Sequence, residues 1–368
     1  MSALKNITVT GTKGKSTTIN ILDSVLADTG YDIGSSTKDE SRLNNEVYQR
    51  DYTEDYLGVY EDNELDVFLF ETPALSDMPN GDYIKDIKSD IAIFTNFDSN
   101  EHDDSEAELN FNKDFFSQIK EDGVAIVNDD AVSVTDNFPG RVITVGLTDS
   151  ADWKYRVLFI HKDVIRFRLT GPGEKHDLYI KTVGAKDVFN YAAVCVSLFE
   201  MGYPISYIAY KIESYTPCKK RFEQHELGGN KHIVFDSCQS LDALEGFLQS
   251  VKGAYPEHRV ITLLTIPEDE YVSKRNPMGR IASENSKWVY ISDNTGYYKN
   301  APYVAADMYK GMTRRNATIQ LNRTKALRSA IEDHENQVIA VAGFGSDLLT
   351  TKRYNDYKRI EEILGKKL

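Results

Sequence analysis

Residues 7–18, which read ITVTGTKGKSTT, decide the fold of the first half of the chain. The apolar run 7–10 predicts a buried strand, and the glycine loop after it leads into a helix from about residue 15 to 28. That helix places its apolar side chains on one face at helical spacing. A strand, a glycine loop and a helix in this order suit phosphate binding, because backbone N–H groups and the helix N-terminus face the same anion.

Two side chains of the glycine loop have predicted roles of their own. Lys15 would contact the β and γ phosphates of a nucleotide, and the Ser16 hydroxyl would bind Mg²⁺. The pattern G-x-x-x-x-G-K-[ST] is incomplete, since Val9 occupies the place of its first glycine. A glycine turn with a solvated lysine is the alternative interpretation, and the strand–loop–helix context favours the phosphate site.

Continuous apolar runs recur at intervals typical of an α/β protein. They predict strands that are buried on both faces of a mostly parallel, P-loop-type sheet, at residues 67–70, 91–94, 124–127 and 142–145. Shorter alternating stretches predict an antiparallel meander with a turn at 171–173, at residues 156–160, 164–169 and 177–181. A helix is predicted over 187–201, where the 3.6-residue period returns.

The composition becomes polar and basic around residues 215–221, and the α/β pattern then starts again. We therefore predict two domains, 1–217 and 218–368, the second a smaller Rossmann-like α/β domain. Its strands are expected at residues 232–235, 260–264, 288–291 and 338–342.

Composition excludes several classes of protein. The 368 residues are 41% hydrophobic, which excludes a largely disordered chain. Lys and Arg number 43 against 57 Asp and Glu, a formal charge of −14, so a broad nucleic-acid-binding face is not expected. Three cysteines are too few for a disulfide scaffold or a zinc site. No apolar stretch approaches the ~20 residues of a membrane span, so we expect a soluble, cytoplasmic protein.

Polar residues follow two of the predicted strands. Glu71 ends the run 67–70, the pair 95–96 ends the run 91–94, and His102 lies in the loop beyond it. Ligands of parallel α/β sheets sit outside the carboxyl ends of the strands. Glu71 and His102 are therefore predicted to reach a metal ion near the phosphates, although each alone would be an ordinary surface carboxylate or loop histidine.

These residues resemble the Mur ligase family. The loop GTKGKSTT is similar to the family's GTNGKTT loop, and Glu71 resembles its magnesium glutamate. Residues 95–104, TNFDSNEHDD, resemble the TN…DHLD segment that contains the histidine. Residues 112–116, NKDFF, resemble AK-x-x-LF, whose lysine is carbamoylated and braces magnesium; here that lysine is Lys113.

The resemblance continues through the second half of the chain. Residues 184–193 are similar to G-x-x-N-x-x-N-x-x-A, which places Asn190 near the adenine. Residues 220–223, KRFE, match GRFE apart from the glycine, so Arg221 resembles the arginine that reaches ATP. Residues 234–244 resemble VDYAHTPDAL and retain Asp236, while 292–294, SDN, resemble the start of SDNPR. TG replaces PR at 295–296, so diaminopimelate gains no support as the substrate.

The family implies an ATP-dependent ligase that forms an amide through an acyl phosphate and releases ADP and phosphate. Its expected cofactors are ATP and Mg²⁺. The implied ATP-binding residues are Gly11, Thr12, Lys13, Gly14, Lys15, Ser16, Thr17, Asn190, Arg221 and Asp236. The implied catalytic residues are Lys15, Glu71, His102 and Lys113, of which the last three join Ser16 as metal ligands.

Substrate contacts are expected from Asp293 and Asn294, and from the basic run that includes Lys219 and Lys220. The expected substrates are an amino acid and a carboxylate acceptor such as an acidic peptide or polymer end. Because the chain begins at the ATP loop, the family's UDP-sugar domain and a UDP-muramoyl acceptor are not expected. A partner protein that presents the acceptor and a homo-oligomer are both left open. So are two rival functions: a non-catalytic nucleotide-binding subunit and a P-loop kinase or NTPase.

Overall fold

The computed structural model of the chain divides into two compact units. Unit 1 comprises residues 1–159, 164–181 and 185–216, and unit 2 comprises residues 160–163, 182–184 and 217–368. The structure describes residues 5–11, 13–37, 41–44, 46–48, 64–72, 88–96, 115–116, 119–135, 138, 140–161, 164–182, 184, 187–216, 222–236, 238, 241–265, 272–293, 299–332, 336–343 and 356–367. Within these ranges, no helix is long and apolar enough to cross a membrane.

Unit 1 is built on one large mixed sheet. Its described strands are β1 (Lys5–Thr10), β2 (Ile33–Ser36), β3 (Ser41–Leu43), β4 (Glu46–Tyr48), β5 (Val67–Glu71), β6 (Ser89–Phe94), β7 (Ile119–Asn128), β8 (Arg141–Gly146), β9 (Trp153–His161), β10 (Val164–Gly171) and β11 (Glu174–Ile180). Their order across the sheet is β11-β10-β9-β8-β7-β6-β1-β5-β2-β3-β4. The strands from β2 to β9 in that order pair in parallel, whereas β3, β4, β10 and β11 pair with neighbours in antiparallel fashion.

The predicted fold class is confirmed in this unit. Each of the first five apolar runs lies in a parallel strand, and the three alternating stretches lie in β9, β10 and β11. The short strands β2, β3 and β4 were not predicted, because the buried positions of β2 and β3 are largely polar and the described side chains of β4 are exposed. In β2, Ser35 donates to Asp23 Oδ2 at 2.9 Å and Ser36 lies 3.1 Å from the Ser41 hydroxyl.

Three described helices cover the sheet of unit 1: α1 (Lys15–Leu26), α2 (Val188–Glu200) and α3 (Ile205–Ser214). The predicted apolar face of α1 is buried, with Ile19, Leu22 and Leu26 fully inaccessible. Helix α1 packs against α2 and α3, and α3 packs against β11. The strand and helix that flank the glycine loop are thus both fixed by burial.

Unit 2 contains a smaller sheet. Its strands are β12 (Glu223–Gly228), β13 (Lys231–Asp236), β14 (Arg259–Thr265), β15 (Trp288–Asp293), β16 (Ala317–Asn322) and β17 (Gln337–Ala342), in the order β12-β13-β17-β14-β15-β16. All pairs are parallel except β12 with β13. The described helices are α4 (Leu241–Ala254), α5 (Val272–Asn285), α6 (Ala301–Gly311), α7 (Arg323–Glu332) and α8 (Asp356–Leu364). Apolar clusters fill both faces of this sheet.

A buried ion pair joins three elements of unit 2. Arg323, the first residue of α7, donates from Nη2 to Asp356 Oδ2 at 2.8 Å and from Nη1 to Ser292 Oγ in β15, also at 2.8 Å. Arg359 donates to the other oxygen of Asp356 at 2.9 Å. The Arg323 and Asp356 side chains are 2% and 0% exposed, so removing Asp356 would leave the buried guanidinium of Arg323 without its acidic partner.

Helices α5 and α6 approach so closely that glycine is required at their contact. A Cβ atom added to Gly279 would lie 1.8 Å from the carbonyl oxygen of Met308. A Cβ atom added to Gly311 would lie 2.0 Å from the carbonyl oxygen of Asn276. Both obstacles are backbone atoms, which cannot move without shifting a helix.

We predict that Gly279→Ala lowers the free energy of unfolding of unit 2 by about 1–3 kcal/mol, the usual range for overpacking a close contact. Gly253→Ala is the matched control, since Gly253 also lies in a helix and has nothing within 4 Å of the added Cβ atom. It should leave stability unchanged or raise it by about 0.5 kcal/mol. Urea denaturation, with hydrogen exchange to localise the loss, makes the comparison; equal effects of the two variants would contradict it.

Candidate functional site

Strand β1 lies between β5 and β6 and runs parallel to both. Val9 pairs with Glu71 on one side, and Thr10 pairs with Phe94 on the other. The three strands therefore end at one edge of the sheet. The glycine loop leaves this edge, and Glu71 and the pair after β6 lie beside it.

The glycine loop depends on two glycines with positive φ. Gly11 has φ 114° and Gly14 has φ 86°. A Cβ atom would lie 2.4 Å from Thr95 Oγ1 at Gly11, and 2.5 Å from Asn190 Oδ1 at Gly14. Asn190, predicted from the sequence to lie near the adenine, is thus adjacent to the loop and is 4% exposed.

The side-chain amide of Asn96 forms two hydrogen bonds with the backbone of the glycine loop. The Lys13 N–H donates to Asn96 Oδ1 at 3.0 Å, and Asn96 Nδ2 donates to the Lys13 carbonyl at 3.0 Å. Thr95 Oγ1 donates to the Thr10 carbonyl at 3.1 Å. Asn96 was not among the site residues predicted from the sequence, although its position after a buried strand was the available signal.

Lys15 and Ser16 begin helix α1 and point into the site. Lys15 Nζ donates to the Gly11 carbonyl at 2.7 Å, so the lysine folds back over the loop. Ser16 Oγ donates to Glu71 Oε2 at 2.7 Å. Ser16 is 7% exposed and Glu71 is 2% exposed. The helix N-terminus, one cation and two hard oxygen donors therefore meet at one place, which suits a magnesium-bound phosphate.

Other predicted residues belong to unit 2. Asp236 ends β13, where its Oδ2 accepts the Phe222 N–H at 3.1 Å. The Cys238 thiol donates to Asp236 Oδ1 at 3.4 Å. Burial, with the charge of Asp236, raises the pKa of Cys238 well above its usual value, so the thiol stays protonated at neutral pH. Asp293 ends β15 and is 5% exposed.

Seven of the predicted site residues lie outside the described residues: Thr12, His102, Lys113, Lys219, Lys220, Arg221 and Asn294. Within the part of the chain that is described, no group of three or more His, Cys, Asp or Glu side chains could hold a metal ion. Ser16 Oγ and Glu71 Oε2 lie 2.7 Å apart beside the loop. Mg²⁺ is commonly held in proteins by one or two carboxylates together with water and substrate phosphates, and this pair fits that pattern.

We predict that Gly11→Ala destabilises unit 1 by clearly more than the approximately 1 kcal/mol of positive-φ strain, because the new Cβ atom meets Thr95 and the Asn96 backbone. Gly30→Ala is the matched control, since Gly30 has φ 81° with nothing within 4 Å of its added Cβ atom. Thermal denaturation measures the loss of stability in each variant. The difference between the two losses gives the effect of the steric clash at Gly11, because both variants carry the strain of a positive φ. An equal loss of stability in the two variants would mean that Thr95 and the Asn96 backbone do not limit the size of the residue at position 11.

Comparison with known proteins places this site in a family. The Mur ligase middle domain model matches residues 9–198. UDP-N-acetylmuramyl-tripeptide synthetase 2 of Oceanobacillus iheyensis is 24% identical over 363 residues, which cover 92% of this chain and 72% of that protein.

Solved structures share the fold over nearly the whole chain. The MurF ligase of Thermotoga maritima in complex with ADP has a TM-score of 0.77 at 13% identity, covering 99% of this chain and 81% of that one. Folylpolyglutamate synthase of Thermotoga maritima has a TM-score of 0.71 at 16% identity, covering 97% and 91%. At such identities the similarity establishes a common fold.

Proposed function

The chain belongs to the Mur ligase family, and we propose that it uses ATP and Mg²⁺ to join the amine of an amino acid to an acceptor carboxylate. The observation that carries the proposal is the convergence of the glycine loop, Lys15 and the buried Ser16–Glu71 pair at one sheet edge. An ATP-dependent amide ligase needs a site of this kind, because the carboxylate must first be phosphorylated.

The glycine loop is assigned to the ATP phosphates. Its positive-φ glycines allow backbone N–H groups to turn toward an anion at the N-terminus of α1. Lys15 Nζ now donates to the Gly11 carbonyl, and a phosphate oxygen is a stronger acceptor for the same ammonium. We infer that Lys15 exchanges the carbonyl for the β and γ phosphates when the nucleotide binds.

Ser16 and Glu71 are assigned to Mg²⁺. Their oxygen atoms already lie 2.7 Å apart, and both side chains are buried. When bound, the ion would reduce the charge on the phosphates and so favour attack by another anion. His102 and a carbamoylated Lys113 remain proposed further ligands. A carbamate would turn the lysine into an anionic oxygen donor suited to a hard cation.

The proposed reaction has two steps. An acceptor carboxylate oxygen attacks the γ phosphorus of ATP, the bond to the β–γ bridging oxygen breaks, and ADP leaves with that electron pair. The amine then attacks the acyl carbon, phosphate departs and the nitrogen loses a proton, giving the amide. Lys15 would stabilise the charge that develops on the transferred phosphoryl group.

The remaining proposed contacts rest on the resemblance. The resemblance assigns Arg221 and Asp236 to the nucleotide, and Asp293 and Asn294 to the amino acid. The basic pair Lys219 and Lys220 is assigned to the acceptor carboxylate. An acidic amino acid or peptide end is the proposed acceptor, since two lysines attract a carboxylate at short range.

We predict that the protein releases ADP at a sustained rate only when a carboxylate acceptor and an amino acid are both present, because without an amine the reaction stops at the acyl phosphate. Lys15→Met should lower this rate at least about 100-fold, a typical effect of removing a group that stabilises transition-state charge. Lys5→Met is the matched control. Lys5 begins β1, at the end of that strand remote from the glycine loop, and its side chain is 55% exposed and lies 3.5 Å from Asp90.

The assay screens amino acids against acidic acceptors by coupled ADP detection, and circular dichroism checks that both variants fold. Sustained ADP release without an amine would indicate an NTPase or kinase. Nucleotide binding without turnover for any pair would indicate a non-catalytic subunit. Equal activity of Lys15→Met and wild type would remove the phosphate site from this loop.

A second prediction concerns the metal. Glu71→Gln keeps the shape of the side chain and its ability to accept from Ser16, but removes the charge that attracts Mg²⁺. Calorimetric titration measures the factor by which Mg²⁺ increases the affinity for ADP. This factor should be at least about tenfold smaller in Glu71→Gln than in wild type. Affinity for ADP in EDTA should stay within about twofold. An unchanged response to Mg²⁺ would show that Glu71 is not part of the metal site.

A further inference from the structure

The meander β9–β11 has one covered face and one open face. Side chains that alternate with the open positions are buried, among them Tyr155, Phe167 and Leu178. Trp153 lies on this covered side, because a Cβ atom on Gly171 would be 2.3 Å from its ring. Helix α3 packs against β11. The alternating residues of the three strands therefore point away from the core of unit 1.

Cationic side chains dominate the open face. We define the basic face as the outward positions of the meander that carry charge, namely Lys154, Arg156, Arg166, Arg168, Lys175, Asp177 and Lys181. Six of these residues are cationic and one is acidic, in a chain whose formal charge is −14. The sign of this face is thus opposite to that of the protein as a whole.

Asp177 only partly neutralises the basic face. Arg168 Nε donates to Asp177 Oδ1 at 2.6 Å, and Arg166 Nη2 donates to the other oxygen. These bonds lower the pKa of Asp177 to about 2, so it is ionised at neutral pH and balances one of the two guanidinium groups. Lys154 pairs with Asp149. Arg156, Lys175 and Lys181 are exposed and form no ion pair with any residue in the described ranges.

The spacing and the chemistry of the face fit an extended chain of carboxylates. Outward side chains repeat at about 6.6–6.8 Å along a strand, the same spacing as alternate side chains of an extended peptide. Arginine and lysine bind carboxylates by charge-assisted hydrogen bonds, as Asp177 already illustrates within the face. The exposed side chains of Leu158 and Tyr179, each 37% exposed, add apolar contact area beside the charges.

A single-stranded nucleic acid fits this face less well. Proteins bind such strands by stacking bases on open aromatic rings. The ring of Tyr179 lies opposite Arg166 in the strand register and already has that guanidinium 5.5 Å from its centroid. One side of the ring therefore already faces a guanidinium. Carboxylates need no such platform.

We propose that the basic face is a docking surface for an extended acidic polypeptide segment. This goes beyond the ligase activity, because the face belongs to the meander and not to the strand ends that carry the glycine loop. At 0.15 M salt the screening length is about 8 Å, so the distant acidic surface repels the segment weakly while the basic face acts at contact.

The test measures binding of fluorescein-labelled decaglutamate by anisotropy at 0.15 M salt. Arg156→Glu/Lys181→Glu should weaken binding at least tenfold relative to wild type. The matched control, Lys299→Glu/Lys325→Glu, makes the same change in net charge at exposed lysines of unit 2 and should change the affinity by less than twofold. Circular dichroism and ADP binding verify that both double variants are folded, and the readout does not depend on ligase activity.

Three outcomes would overturn the proposal. Wild type could fail to bind decaglutamate up to the solubility limit. Both double variants could weaken binding equally, which would assign the effect to net charge. Decathymidylate could bind more tightly than decaglutamate, which would make the face a nucleic-acid site.

Discussion

The parallel pairing of β1 with β5 and β6 is the constraint on which the candidate site depends. The strand is held at both ends. At its start, Asn6 donates its backbone N–H to Asp90 Oδ2 at 2.9 Å and its side-chain amide N–H to the Lys88 carbonyl at 3.0 Å. At its end, Thr72 and Thr95 donate to the Val9 and Thr10 carbonyls. Every residue of β1 after Lys5 is buried, so a one-residue slip would break these hydrogen bonds and exchange the places of Ile7 and Val9 with those of polar neighbours. The position of the loop therefore follows from the pairing of the strand.

In unit 2, a buried ion pair positions the end of a strand. Strand β17 lies between β13 and β14, and it is fully buried. At the end of β15, Arg323 donates one hydrogen bond to Ser292, the residue before Asp293, and another to Asp356. Buried ion pairs contribute little net stability but strongly penalise arrangements that separate the partners. The pair therefore specifies how α7 and α8 meet the end of β15, while apolar packing provides the stability of the unit.

The sequence predicted the features that depend on local pattern. Buried parallel strands such as β1 and β6 appear as continuous apolar runs, and the glycine loop is visible as a loop between a strand and a helix. Features that depend on distant contacts could not be predicted. β2 is held by a serine–aspartate bond, and Asn96 holds Lys13 across 83 positions of sequence. β12 and β16 were not predicted because, at the edges of the sheet, they have few buried side chains.

The protein is strongly acidic, and yet its proposed ligand is an anion. The groups that would attract this anion act over short distances. In the candidate site the positive potential comes from backbone N–H groups, a helix N-terminus and the ammonium group of Lys15. Of these, the ammonium group alone carries a formal charge, so these groups add one positive charge to the net charge of the protein. Such groups act within a few ångströms, where solvent is partly excluded, and the effective dielectric constant is lower than in water. The −14 charge acts over longer distances and is screened within about 8–10 Å at physiological salt. A small magnesium-bound nucleotide, the proposed ligand, would therefore be attracted at contact. A long polyanion would be attracted where cations outnumber carboxylates, as they do on the basic face.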